Sequence, residues 1–360
     1  MAFHDQNTVE SADARSSSVD LSTSPWLIQV FDRSPLSLPV MGILITLVHF
    51  LLTAALAQVM APGLGTVYRV WQNGFGPVLA LQIVKSLQIG FSASAGYYLL
   101  REAVGDFQSL RPALGCDDIE FEHWLTRLRH VPRVPLYIVG ALALWVGFSG
   151  PLNPSIWPAG RPPIGSARMS FAQIDVLLTI FLLTRVLALE LIFATLFASV
   201  ARRFARIELL DLERVAPFSR RALRGVLVLM LFITLAALQA IFDPNPGGAI
   251  SMVIVISLMA VAFFLIPLIP LQRRIHAVKQ GELARLRADI RRENEARIAG
   301  EKDRTPLADL IMYKQEIERV STWAFTTSTV SRFALYVSLG VGSWLGAAFV
   351  ERWLGTVLDR

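Results

Sequence analysis

Four ionisable side chains stand inside long apolar runs of this sequence: His49, Lys85, Arg185 and Glu190. A charge in hydrocarbon is costly, so such a residue marks either a polar pathway or a buried pairing. At 1.5 Å per helical residue, His49, Lys85 and Arg185 fall roughly 15–20 Å into their runs, near the middle of a bilayer. Glu190 lies nearer the basic segment that follows. Gln82, Lys85, Gln88 and Ser92 fall within an arc of about 120° on one helix, a stripe expected to face into a bundle. Arg185 and Glu190 are about 140° apart around a helix, so each needs a partner on another span. Lys85 is the expected partner of Glu190. Two uses of these groups stay open: a wet pathway whose excess positive charge favours an anion, or pairings that lock the helices together.

Other chemistry is thinly represented. Gly147-Phe148-Ser149-Gly150 spells the GxSG of intramembrane serine proteases, but no later span carries a histidine to serve as base. His123 and His130 share a helical face near Glu120 and Glu122, yet no HExxH or carboxylate cluster completes a metal shell. The single cysteine, Cys116, supports neither a disulfide framework nor a cysteine zinc site. There is no phosphate-binding glycine loop, dinucleotide fingerprint or paired intramembrane aspartate. The expectation is therefore a protein that is not an enzyme and takes no metal or cofactor.

The elements that must position these residues are membrane spans. Of 360 residues, 54% are hydrophobic and 17% charged, where an ordinary soluble domain has about 25% charged. Mean hydropathy is +0.51. These values exclude a disordered chain, a disulfide-stapled secreted module and a conventional soluble enzyme. The fold class expected is an all-α polytopic membrane bundle. Seven apolar runs approach the roughly 20 residues a span requires: 37–60, 76–100, 134–150, 172–199, 222–242, 249–270 and 331–350. Of the 34 Lys and Arg residues, 27 fall in the N-terminal tail and loops 101–133, 200–224 and 271–332. Five fall on the other side and two inside spans. This bias places the N-terminus in the cytoplasm and the C-terminus outside. The net charge of +6 then reads as topology signal facing anionic lipid, with no nucleic-acid partner.

Between the spans, residues 1–23 read as a disordered tail and 24–36 as an interfacial amphipathic helix, with Trp26, Leu27, Val30 and Phe31 on one face. Residues 37–270 form the six-span bundle, including a cytoplasmic helix at 117–130 with Phe121, Trp124, Leu125 and Leu128 on its apolar face. The proline-dense loop 151–171 is expected to cover the outer mouth. Pro267 and Pro270 should kink the chain ahead of a cytoplasmic helical hairpin, 271–320. Its arms are 271–299, with Ile275, Val278, Leu286, Ile290 and Ala296 on the seam, and a second helix started by Thr305 and Pro306. This hairpin is either a structural stalk, a coiled-coil-like self-association surface or a seat for a cytoplasmic protein partner. In the seventh span, Ser338, Gly342 and Gly346 make a small-residue ridge for close helix packing, within the bundle or between protomers of a homo-oligomer.

The run Ile317-Glu-Arg-Val-Ser-Thr-Trp323-Ala-Phe-Thr-Thr-Ser328-Thr-Val-Ser-Arg332-Phe-Ala-Leu-Tyr336, followed by Ser343-Trp344-Leu-Gly346, resembles the C-terminal signature of a group of uncharacterised bacterial multi-pass membrane proteins. The resemblance covers about 307–353 and implies a bacterial inner-membrane home without implying an activity. The topology alone is also similar to that of insect odorant and gustatory receptor channels, with no shared motif. Two functions are expected on these grounds. The first is a channel or transporter-like conduit through His49, Gln82, Lys85, Gln88, Ser92, Arg185 and Glu190. The second is a non-conducting scaffold or sensor that recruits a partner through 271–320.

Overall fold

The computed structural model describes residues 26–60, 77–131, 136–141, 167–242, 247–298 and 307–323, with short pieces between 331 and 342. The tail 1–23, the GxSG motif, most of spans 134–150 and 331–350 and most of the proline-rich loop lie outside the described residues. Among those described, the chain is helical and forms no strand beyond a lone antiparallel bridge, Leu114–Ala205.

Short helix α1 (Trp26–Arg33) precedes α2 (Leu38–Met60). Pro39 is tolerated because it sits in the first turn of α2, where its missing N–H has no intrahelical acceptor to lose. α1 buries Ile28 and Phe31 while Val30 is exposed. Its buried face meets α3 (Pro77–Ser109), with Phe31 stacked on Tyr97 at 5.7 Å. Of the residues expected on the interfacial face, Phe31 is thus taken up by α3 and Val30 is left exposed, while the side chains of Trp26 and Leu27 lie outside the described residues.

α3 has 33 residues, about 50 Å of helix, and runs well past the expected end at 100. After a 3-10 turn, α4 (Asp118–Arg129) starts on a cap in which the Asp117 carboxylate accepts from the Glu120 N–H at 2.6 Å. It buries Phe121, Trp124, Leu125 and Leu128. α5 (Ala167–Phe204) is tied to the end of α3 by backbone bonds from Gly115 N to Phe204 O and from Arg206 N to Ala113 O, both 2.8 Å. α6 (Ala216–Phe242) follows, starting six residues before the expected 222.

α7 (Gly247–Ile298) joins the expected sixth span and the first arm of the expected hairpin in one helix of 52 residues, with Pro267 and Pro270 inside it. The prolines remove two N–H donors, but the apolar seam passes through them without interruption. Phe264, Leu268, Leu271, Ile275, Leu283 and Leu286 are all buried. Val278, expected on that seam, is exposed. At 1.5 Å per residue α7 is about 78 Å long, more than twice the hydrocarbon thickness. α8 (Leu307–Arg319) packs back on it with Ile317 fully buried, and Lys279 Nζ donates to the carbonyls of Glu318 (2.8 Å) and Val320 (2.7 Å). That lysine caps the C-terminal carbonyls of α8 and satisfies the negative end of its dipole.

The main core is built from α3, α5, α6 and α7 and is richest where α3 and α5 end and α6 begins, here termed the charged end. Phe107, Phe193, Phe197 and Phe218 are fully buried there. α2 is peripheral and packs chiefly on α3. The stretches Leu38–Ala55, Leu177–Phe204, Leu212–Phe242 and Met252–Ala296 are long and apolar enough to cross a membrane. α3 is not among these four, because Gln82, Lys85, Ser86, Gln88, Ser92 and Ser94 dilute its apolar content.

Candidate functional site

The stripe on α3 does not face one cavity; its two edges do different things. One edge meets α2 in a ladder of small and polar residues. Gln82 Nε2 donates to Thr53 Oγ1 at 2.7 Å, and His49 Nδ1 lies 2.9 Å from Ser86 Oγ. Further along, Gly90 lies so close to α2 that a Cβ there would be 2.1 Å from Thr46 Oγ1 and 2.5 Å from the Gly42 carbonyl. Gly42, Thr46, His49 and Thr53 recur every three or four residues on α2, and Gln82, Ser86, Gly90 and Ser94 every four on α3. This is the small-residue and hydrogen-bond chemistry by which helices adhere in lipid.

The other edge of the stripe is turned into the bundle. Gln88 and Ser92 are buried, and Ser92 Oγ donates to the Gln88 carbonyl at 2.5 Å. Among the described residues, neither amide atom of buried Gln88 has a hydrogen-bond partner. Lys85 lies between the edges and is half-buried. Arg185 on α5 is buried, with its guanidinium 5.5 Å from the ring centroid of Phe181, one turn earlier. That geometry is a cation–π contact.

Glu190 overturns its expected pairing with Lys85. Its carboxylate receives Arg221 of α6 in two bonds, Nη2 to Oε2 at 2.6 Å and Nη1 to Oε1 at 3.2 Å, with both side chains 3% exposed or less. The Arg221 guanidinium also lies 5.3 Å from the centroid of Phe193. One turn on, Arg224 bridges Glu102 (2.8 Å) and Asp106 (2.5 Å) of α3. Three helices are thus joined at the charged end by three carboxylates and two guanidiniums.

Arg221 falls just before the expected start of its span at 222, and Arg224 at that span's edge, so neither is among the four ionisable residues singled out inside the apolar runs. A signal was present: Phe218, Arg221, Ala222, Gly225 and Leu229 follow helical spacing, which puts Arg221 on the apolar face of α6. Gly225 belongs to the same site, since a Cβ there would lie 2.0 Å from Glu190 Oε1.

The remaining expected sites are simpler. His123 and His130 are exposed; His123 has its ring edge to Trp124, and His130 Nδ1 lies 3.0 Å from the Thr126 carbonyl. Among the described residues no group of three or more His, Cys, Asp or Glu is placed to hold a metal. Ser338 and Gly342 are exposed, and a Cβ at Gly342 would meet no atom within 4 Å. Among the described residues, then, the ridge makes no close contact at Gly342. Gly346 lies outside the described residues.

Lastly, a pocket of about 460 Å³ opens between the end of α5 and the middle of α7, lined by Arg202, Pro270, Arg273 and Arg274.

The fold and these pairings define an all-helical integral membrane protein with at least four helices fit to span a bilayer. Comparison with family models, characterised proteins and solved structures gives no match.

Proposed function

We propose that this protein is a non-conducting membrane scaffold or sensor that presents a helical stalk to a cytoplasmic protein partner. The observation that carries this reading is the continuity of α7. One 52-residue helix is both membrane-embedded and protruding, and α8 is clamped to its protruding half through Lys279 and Ile317. The polar residues of the apolar runs support the same reading, because they are divided among separate helix contacts. The basic bias of the sequence supports a cytoplasmic stalk, and the resemblance of 307–353 implies a bacterial inner membrane. On the outer face of α8, Met312 is 66% exposed beside Ile311 and Tyr313, an apolar surface suited to a partner helix.

The test is copurification from native membranes with the full-length chain. Met312→Ser with Ile311→Ser should remove a stoichiometric partner, while Arg185→Met should leave it bound. Absence of any stoichiometric partner from the wild-type protein would overturn the scaffold reading.

A second reading, an anion conduit, is favoured by Gln88 and Arg185, which are buried without a carboxylate beside them among the described residues. In that case reconstituted protein passes chloride or phosphate, and Arg185→Met and Lys85→Met abolish the flux. The ion pair Arg221–Glu190 then serves only to hold the helices.

A further inference from the structure

We propose that the arginine pocket between α5 and α7 binds the phosphate of an anionic membrane phospholipid. This rests on the membrane embedding of the protein and not on the scaffold reading.

Three arginines, Arg202, Arg273 and Arg274, line the open pocket of about 460 Å³. Among the described residues none of them has a carboxylate within 4.0 Å, although the nearby Arg214, Arg221 and Arg224 all do. Among the described residues their charge is therefore uncompensated, and a guanidinium matches phosphate oxygens in pairs. One of the three is fixed in place: Arg274 Nη1 donates to the Arg202 carbonyl at 2.9 Å. That bond satisfies a carbonyl in the last turn of α5 and leaves the other donors of Arg274 for a ligand.

Depth identifies the source of the phosphate. From Met252 to Leu271, α7 is an uncharged apolar run, about 30 Å of helix and one hydrocarbon thickness. Arg273 and Arg274 follow at once. α5 reaches Arg202 directly after its own apolar stretch. Both arginine groups thus lie at headgroup level. Above them the surface suits an acyl chain. Leu258, Val261 and Ile269 are exposed on α7, and Ile269 and Arg273 are one turn apart on that stripe. Leu191, Thr195 and Arg202 share a stripe on α5, where the Thr195 and Ser199 hydroxyls are satisfied by their own helix. A headgroup in the pocket therefore has apolar surface for its chain on both helices.

The test uses delipidated full-length protein in neutral detergent and follows binding of phosphatidylglycerol, with phosphatidylcholine and inorganic phosphate as comparison probes. Phosphatidylglycerol should bind more tightly than phosphatidylcholine, and millimolar phosphate should not displace it. The triple variant Arg202→Gln, Arg273→Gln, Arg274→Gln should weaken binding roughly 100-fold, each guanidinium contributing on the order of fivefold. The pair Arg285→Gln, Arg287→Gln, exposed further along α7, should leave it unchanged. Arg202→Gln alone guards against misfolding, because the bond from Arg274 goes to the Arg202 backbone and survives the change. Equal binding by wild type and Arg202→Gln, or equal loss in the stalk pair, would overturn the proposal. So would pocket-dependent binding of inorganic phosphate with no gain from the lipid, which would make the ligand a soluble anion.

Discussion

The carboxylate of Glu190 rests against the backbone of Gly225 on the neighbouring helix, so closely that a Cβ at Gly225 would lie 2.0 Å from Oε1 and 2.6 Å from Cδ. The glycine opens the space in which Glu190 receives Arg221, and no ordinary side chain fits at that position with the ion pair in place.

Gly225→Ala should therefore destabilise, against the usual sign. In a helix interior, alanine is favoured over glycine by about 1 kcal/mol. Here the added methyl displaces Glu190 and leaves Arg221 buried without its partner, a loss on the order of 3–5 kcal/mol. The net cost expected is about 2–4 kcal/mol, read as a fall in melting temperature in nanodiscs. In a Glu190→Ala background the sign should revert, with alanine at 225 stabilising. An unchanged penalty in that background would show that Gly225 serves something other than Glu190.

The pair itself makes a second prediction. Removing one partner leaves a buried charge, whereas replacing both with apolar residues of similar volume is often neutral or better. Glu190→Gln should cost about 3–5 kcal/mol, and Glu190→Leu with Arg221→Met should recover most of that loss. A double variant as unstable as the single one would mean that the pair holds α5 to α6 in a way that apolar packing cannot replace.

Much of this architecture is legible in the sequence, and the failures share one cause. Apolar runs locate α2, α5, α6 and α7, and Asp117 with its apolar face locates α4. Hydropathy reports what lipid tolerates, however, and says little about where a helix ends once it leaves lipid. α3, α5 and α6 continue into charged sequence because other helices cover them there, so hydropathy leaves Arg221 in the preceding loop and Arg224 at a span edge. Partner choice failed for a related reason. Glu190 meets Arg221 because α5 and α6 present these residues at one level, a fact of relative helix height that no single-helix pattern contains. The α2–α3 ladder was half visible: His49 and Gln82 stand out as polar, whereas Gly42 and Gly90 gain meaning only from the approach of two backbones.

That approach allows two glycines to be ranked. A Cβ at Gly90 would strike the Gly42 backbone carbonyl as well as Thr46, while at Gly42 it would strike only the Ser94 hydroxyl, at 2.7 Å. A hydroxyl can rotate and a helix backbone must shift as a unit. Gly90→Ala should cost about 1–3 kcal/mol, in the range of overpacked interiors, and Gly42→Ala clearly less. Ser94→Ala should remove the remaining penalty at Gly42 and leave that at Gly90. Equal penalties at the two glycines, in thermal unfolding of the full-length chain, would overturn this ranking.

Cys116, the single thiol of the chain, offers a chemical readout of the charged end. It lies in the link between α3 and α4, outside the spans, where partial burial pushes its thiol above the ordinary value. The Arg111 guanidinium, which donates to the Cys116 carbonyl at 3.0 Å, pulls the other way, and Glu120 and Asp117 add to the rise. Since the thiolate is the nucleophile, alkylation by iodoacetamide should be slow at neutral pH. Its rate should still be climbing at a pH where glutathione in the same tube has levelled off. The folded-state value is raised, so the neutral thiol favours the fold, and that contribution to stability fades as the pH climbs through it. Glu120→Gln should speed alkylation at pH 8 by removing a negative neighbour, and Arg111→Met should slow it by removing the positive one. A rate profile in Cys116 that levels off with glutathione or before it would mean that the link opens to water and that α4 is not held against α3 as described.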